Sequence, residues 1–403
     1  MSSSAPGEYE GTFALLSPAW RITLNRLLWA VWAVALVLGV IGVVERLTQG
    51  HLPAGYGSYV PWGLWVALYF HGVGIAGGAF VVGALGYIQG ARGFSRPSVL
   101  RLMIVLSLAA IVPSFLGVWL DLGHMERAHR IFLSPSFTSM MAFNAWMYSA
   151  FIVIAAVCWV LSFRGGSGWL KPLLCLGLLF SVVFPSQSGA FFGVVDAKPF
   201  WHSALLPMLF LTSALTAGAA TLLVVRALLA DGDGDADTRF ALERIRLVTV
   251  IGLVVYFVFE FAEYSIANWS PMSHSPAIEL VLWGPYWWVF WIVHVLVGGV
   301  VALALLASRS PGAWFVGALL VAICFVSARL NVLLPGQAVA EIAGLQDAFH
   351  HERLRYLYEA TRMEYFVGFF LLAVGISTFF IGQRISRAVE ARTGTGEVDN
   401  AAC

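Results

Sequence analysis

The chain has 403 residues, 60% of them hydrophobic and 11% charged, with a mean hydropathy of +0.83, and a soluble core has no room for so much apolar surface. A net charge of +1, with Arg and Lys sitting mainly in short connections, excludes the basic stripe that a nucleic-acid partner requires. The four cysteines, Cys158, Cys175, Cys324 and Cys403, are scattered without a C-x-x-C pair, so no iron–sulfur cluster of the chain's own is expected.

The N-terminus lacks a basic lead and a short apolar segment with a small-residue cleavage site, so the first span is expected to remain as an anchor. A helix crossing the hydrocarbon needs about 20 apolar residues. Stretches of that kind lie near 27–44, 60–88, 99–120, 140–163, 170–190, 200–230, 244–268, 285–308, 311–333 and 363–383. The expected fold class is therefore an all-α integral membrane protein of about ten transmembrane helices. The fifth stretch is the weakest, because Pro185, Ser186, Gln187 and Ser188 interrupt it.

The chain reads as one membrane domain, 1–403, with a cytoplasmic N-terminal segment 1–26, a first helical half 27–230, a linker 231–243, a second half 244–383 and a cytoplasmic tail 384–403. The run Asp231-Gly232-Asp233-Gly234-Asp235 suits a solvated linker, since a calcium loop would need a Glu at its closing position and none is there. With the N-terminus inside, fifteen of the 23 Arg and Lys fall on the cytoplasmic side, which predicts that both termini are cytoplasmic in a bacterial inner membrane. Pro61-Trp62-Gly63-Leu64-Trp65 and Pro285-Tyr286-Trp287-Trp288 open two spans alike, either as a faint repeat or as an interfacial aromatic belt.

Ionisable groups inside a bilayer are expensive, so each marks a functional site or a structural pair. Asp121 and His124 close the third span, Glu260 and Glu263 lie in the outer part of the seventh, Arg329 in the outer part of the ninth, and Glu364 opens the tenth. All gather toward the outer face. Acids and histidines beside Trp62 and Trp65 suit a quinone, whose carbonyls need donors, whose quinol hydroxyls need a base, and whose ring needs an apolar slot. Asp121 and His124, three apart, share a face if the helix continues that far, or else form a helix-end cap and a solvated His. His71 reads as a quinone-pocket group or a hydrogen-bonded core His. Glu260 and Glu263, with Tyr256 and Tyr264 on the same face, read as a proton path or as ion pairs to Arg329, and His294 reads as core.

At these residues the sequence resembles the NrfD/PsrC-type membrane subunits of complex iron–sulfur oxidoreductases. Pro61 to Trp65 with Gly77-Gly78 is similar to the opening of that family's quinone-site helix. Asp121-Leu122-Gly123-His124-Met125-Glu126-Arg127 is similar to its D-L-G-R-P-x-R segment, with Asp121 and Arg127 matching and His124 and Met125 departing. Leu133 to Met140, Trp201-His202-Ser203 with Pro207, and Ser213 to Gly218 also resemble it, while Arg329-Leu330-Asn331, Gly336, Tyr358 and Glu364 resemble the ten-helix branch that includes HybB and DsrP.

The resemblance implies two four-helix bundles with flanking helices, no haem or other prosthetic group, and electron exchange between menaquinone or ubiquinone and a periplasmic ferredoxin-like iron–sulfur subunit, with further oxidoreductase subunits and membrane lipid as partners. Within it, Asp121 and His124 are expected to exchange protons with the quinone, and Trp62, Trp65, His71 and Arg127 to bind it. Two alternatives stay open: a b-type cytochrome using His71 and His294, and a secondary transporter with a midplane site. The longest outer connection, from about Pro335 to Met363, reads as a partner platform or as an amphipathic helix on the bilayer surface.

Overall fold

The structure, a computed structural model, describes residues 18–164, 167–229, 236–269, 275–342, 344–349, 351 and 353–393. The Asp231 to Asp235 run lies outside the described residues. Among the described residues, ten helices are long and apolar enough to cross a membrane, and the protein is a multi-pass, all-α integral membrane protein. In chain order they are α1 (Pro18–Gln49), α2 (Leu64–Ile88), α3 (Pro97–Asp121), α4 (Met140–Leu161), α5 (Leu170–Gly193), α6 (Leu206–Leu229), α7 (Ala236–Trp269), α8 (Val289–Ala307), α9 (Pro311–Ala338) and α10 (Arg362–Thr393).

Helices α2 to α5 form one four-helix bundle, in which α2 and α4 each pack on α3 and α5. Helices α6 to α9 form a second, in which α6 and α8 each pack on α7 and α9. The bundles meet where α2 lies against α6 and α9, and where α5 lies against α6; α1 lies on α10, which lies on α3. Burial follows this order. In α2, α3 and α6 about two thirds or more of the span is buried (72%, 67% and 67%), against 17% in α1 and α10, so the flanking pair presents most of its apolar surface outward. Connections α1–α2, α3–α4, α5–α6, α7–α8 and α9–α10 share one end of the bundle, hereafter the Asp121 face.

Helix α5 runs unbroken through Pro185, contrary to the weakness expected there. Membrane helices tolerate proline where neighbours and side chains satisfy the freed backbone groups. Ser188 Oγ donates to Phe184 O (2.8 Å), Ser181 Oγ to Gly177 O (2.7 Å), and α2 closes on the Ser181 carbonyl at Gly77, where a Cβ would come within 3.0 Å of it. Two other spans are irregular. Helix α8 is π-wound over Val289–Val301, around His294, and α9 breaks at Phe325 before resuming at Val326.

Candidate functional site

The Asp121 face is held by one cation and one acid. Arg46, buried at the end of α1, donates from Nε to Leu120 O (2.8 Å) and from Nη2 to Leu122 O (2.9 Å). It thereby caps the carbonyl end of α3, where the helix dipole favours a positive charge. Glu364 does the complementary work in the first turn of α10, taking hydrogen bonds from Gly55 N (2.8 Å), Thr361 N (3.1 Å) and the Tyr358 hydroxyl (2.5 Å), while its backbone carbonyl accepts from Trp65 Nε1 (2.9 Å). Tyr358 also accepts from Leu64 N (2.8 Å), one of the amides that a helix start leaves without an internal partner. These bonds tie α1, α2, α3 and α10 into a rigid frame.

Asp121 lies inside that frame and is left open. It is half-buried, within electrostatic reach of Arg46, Glu364 and Tyr56, and its buried Oδ1 has no hydrogen-bond partner among the described residues. Glu364 is saturated by donors and organises the frame; Asp121 is the acid with a free oxygen to offer.

Of the other expected residues, only some join Asp121. Trp65 does: it is fully buried, bonded to Glu364, and edge-on to Tyr56 with ring centres 5.8 Å apart. Trp62 instead stacks on Trp201 (6.0 Å, 23° between planes) beside Phe191 and Phe192, and its backbone is clamped by Gln337 through N to Oε1 (2.9 Å) and Nε2 to O (3.1 Å). The shared face expected of Asp121 and His124 is not formed, because α3 ends at Asp121 and Leu122 turns extended (φ −65°, ψ 135°). His124 is exposed and meets Glu126 at 3.0 Å, and Arg127 is exposed beside the same carboxylate at 3.6 Å.

A second polar centre fills the α6–α9 bundle. His294 Nε2 lies 3.0 Å from Glu260 Oε1, its Nδ1 lies 2.9 Å from Ser327 Oγ, and the Tyr256 hydroxyl donates to Glu260 (2.8 Å). Glu263 accepts from Ser203 Oγ (2.6 Å). The expected ion pairs from these acids to Arg329 do not form. Arg329 donates from Nη2 to Phe210 O (3.2 Å) and lies over the Phe210 ring at 4.1 Å, so a carbonyl and a π face take the place of a carboxylate, while among the described residues its buried Nε has no hydrogen-bond partner. His294, expected as core, is buried and has both ring nitrogens engaged, by Glu260 and by Ser327. His71 donates from Nε2 to Ala322 O (2.7 Å).

His71 also lines a cavity of about 670 Å³ between α1, α2, α3, α6 and α10. Its walls are apolar, including Trp29, Trp32, Ile75, Leu106, Val225 and Phe379, with the polar groups of His71, Ser114 and Thr221 among them. At the Asp121 end it is bounded by Leu68, Gly368 and Leu371. Leu68 and Gly368 stand one turn beyond Trp65 and Glu364, so the cavity starts a helical turn below the Asp121 frame.

The sequence profile of the family described as polysulphide reductase, NrfD, matches residues 54–341, well over half of the chain. The chain belongs to the NrfD family. Among NrfD-type relatives, a selenate reductase subunit of Mesobacillus selenatarsenatis is 25% identical, over 89% of this chain and 93% of its own length. The Hdr-like menaquinol oxidoreductase integral membrane subunit of Archaeoglobus fulgidus is 28% identical over 71% and 73%, and protein NrfD of Escherichia coli is 23% identical over 62% and 86%. The matched NrfD segment includes the α1–α2 connection from residue 54 onward, α3 and Arg329; it begins after His51 and ends before Glu364. Sequence reasoning missed Arg46, His51, Tyr56 and Gln337. Arg46 had a signal: it is a cation at a span end on the sparsely basic face, where burial is costly without a purpose.

Proposed function

We propose that the chain is the quinone-handling membrane subunit of an oxidoreductase complex, passing electrons between menaquinone or ubiquinone and an iron–sulfur partner docked on the Asp121 face. The observation that carries this reading is an acid with a free buried oxygen, Asp121, on the same helix as the cavity-lining Ser114 and about two helical turns above it, over a largely apolar cavity. A quinone needs both: a proton acceptor at its ring and an apolar channel for its prenyl chain. In the oxidising direction both quinol O–H bonds break, the first proton bonding to an Asp121 oxygen and leaving to solvent before the second takes its place, and the two electrons pass to the partner; in the reducing direction the same steps run in reverse. Trp65 walls the ring site. The relative named as a menaquinol oxidoreductase subunit supports menaquinone, and the terminal substrate, a sulfur compound, hydrogen or another electron donor or acceptor, belongs to the partner subunits.

The platform for the partner is the α9–α10 connection. Within it only Leu345–Ala348 is helical among the described residues, so it is not the long amphipathic helix of the alternative reading. It lies instead over the α1–α2 connection, with Tyr356 stacked on Tyr59 (4.3 Å, 14°) and Ser58 N bonded to Arg353 O (3.1 Å), and it leaves Phe349 exposed.

The test is Asp121→Asn in the assembled complex, because the amide keeps the shape and cannot accept the proton. Quinol-dependent electron transfer should fall ~10²-fold or more with the subunit still assembled. An unchanged rate would overturn the reading, and loss of assembly would assign Asp121 to holding the end of α3.

A further inference from the structure

Beside Asp121, the α1–α2 connection carries two titratable groups to which the quinone chemistry above gives no role. His51 is half-buried and Tyr56 is 7% exposed. The His51 Nδ1 to Tyr56 hydroxyl distance is 2.5 Å, with ring centres 5.4 Å apart, and on its other side His51 Nε2 meets Arg46 Nη2 at 2.7 Å. We propose that Tyr56 and His51 are the proton path between Asp121 and the solvent at this face, a relay that rests on the quinone reading of Asp121.

The chemistry of the groups fixes the direction of each hydrogen bond. A guanidinium has donors and no acceptor, so His51 Nε2 must accept from Arg46. The ring proton of neutral His51 then sits on Nδ1 and is donated to the Tyr56 oxygen. The Tyr56 hydroxyl hydrogen is left to find an acceptor further in. Two carboxylates lie within its electrostatic reach, Asp121 and Glu364. Glu364 is already filled by Gly55, Thr361 and Tyr358, whereas Asp121 has an open oxygen. The groups facing this pair are Arg46 from α1, Asp121 from α3, Glu364 from α10 and Arg353 from the α9–α10 connection. Burial, and then Arg46, lower the His51 pKa, while burial raises that of Tyr56, so both stay neutral at ordinary pH, as a relay requires.

The proton balance closes. On uptake, a solvent proton bonds to His51 Nε2 as Arg46 lets go, the Nδ1–H hydrogen passes to the Tyr56 oxygen, and the Tyr56 hydroxyl hydrogen, which makes no direct hydrogen bond to Asp121, crosses to its carboxylate through an intervening water. His51 and Tyr56 end neutral, with the His51 proton now on Nε2, Asp121 ends protonated and no electrons move; reorientation of the imidazole and the Tyr56 hydroxyl restores the starting hydrogen bonds before the next proton. On release the same steps run backward. Arg46 remains anchored to Leu120 O and Leu122 O, so its departure from Nε2 costs the frame one bond of three.

The experiment compares Asp121→Asn, His51→Gln and Tyr56→Phe in the intact complex in membranes, with a short-chain quinol as donor. If Asp121→Asn is inactive, as the quinone reading requires, His51→Gln and Tyr56→Phe should each lower turnover ~10²-fold with KM unchanged. Their pH–rate profiles should shift, and added imidazole should restore part of the His51→Gln rate. Full rates and an unshifted profile in both variants would overturn the relay and leave the quinone reading standing. A rate lost equally at every pH and untouched by imidazole would mark a structural role and also overturn it. An active Asp121→Asn would remove the quinone reading and the relay together.

Discussion

Glu260, Glu263, His294 and Arg329 are all buried in the α6–α9 bundle, at 5% exposure or less. Burial forces each to find partners, and the partners are chosen by reach rather than by charge alone. Glu260 and His294 face each other from α7 and α8, and the π-winding of α8 over Val289–Val301 sets how the imidazole is presented. Truncating Glu260 would strand the His294 imidazole and the Tyr256 hydroxyl together. Glu260→Ala should therefore destabilise the purified protein by about 2 kcal/mol, read as a lower thermal midpoint, with Glu260→Gln losing less because its amide still accepts from Tyr256. Equal loss in the two variants would show that charge, and not hydrogen bonding, holds this centre.

Helices α2 and α6 cross at a seam of small residues. A Cβ on Gly78 would overlap the Ala214 carbonyl, and one on Gly218 would overlap the Gly78 backbone, so each glycine makes room for the other helix. In a bilayer, where lipid is as apolar as leucine, such close backbone approach is what drives helices together. This seam joins the two four-helix bundles and therefore fixes the Asp121 frame relative to Arg329 and His294. Gly78→Val should cost about 3 kcal/mol or more, since backbone cannot shift aside as a side chain can. Limited proteolysis of detergent-solubilised variant should cut between α6 and α7 faster than in the natural protein; equal rates would show that the seam can open without loss.

At the scale of the whole molecule, the frame, the cavity mouth and the α9–α10 connection all stand on one side of the membrane, so orientation decides which compartment exchanges protons and docks the partner. We propose, from the Arg and Lys distribution, that the Asp121 face lies outside and both termini inside. A periplasm-active phosphatase fused after Arg392 should be silent; activity there would move the frame to the cytoplasmic side. The α1–α10 pair contributes to function through position. It closes the cavity on the side away from α6 with Trp29, Trp32 and Phe379, so its mainly exposed surface lies between the cavity and lipid.

The number and order of spans were legible in the chain, because hydrocarbon thickness sets a length and a polarity that each segment must meet alone. The family was legible too, from Trp62 to Trp65 and from Asp121 to Arg127. Asp121 with Trp65 and Glu364 could be placed together, since an acid at a span end and an aromatic at a span start belong to the same face. Which residues touch was settled elsewhere. His124 lost its place when α3 ended at Asp121, Arg329 found a carbonyl and a ring in place of Glu260, and His51 and Tyr56 entered the frame from a connection with no periodicity to read. The sequence by itself determined the segments that cross the membrane, because each crossing is a local contest between apolar side chains and water. Only the tertiary structure decided the partners of the buried polar groups, because those depend on how segments hundreds of residues apart in the chain come side by side.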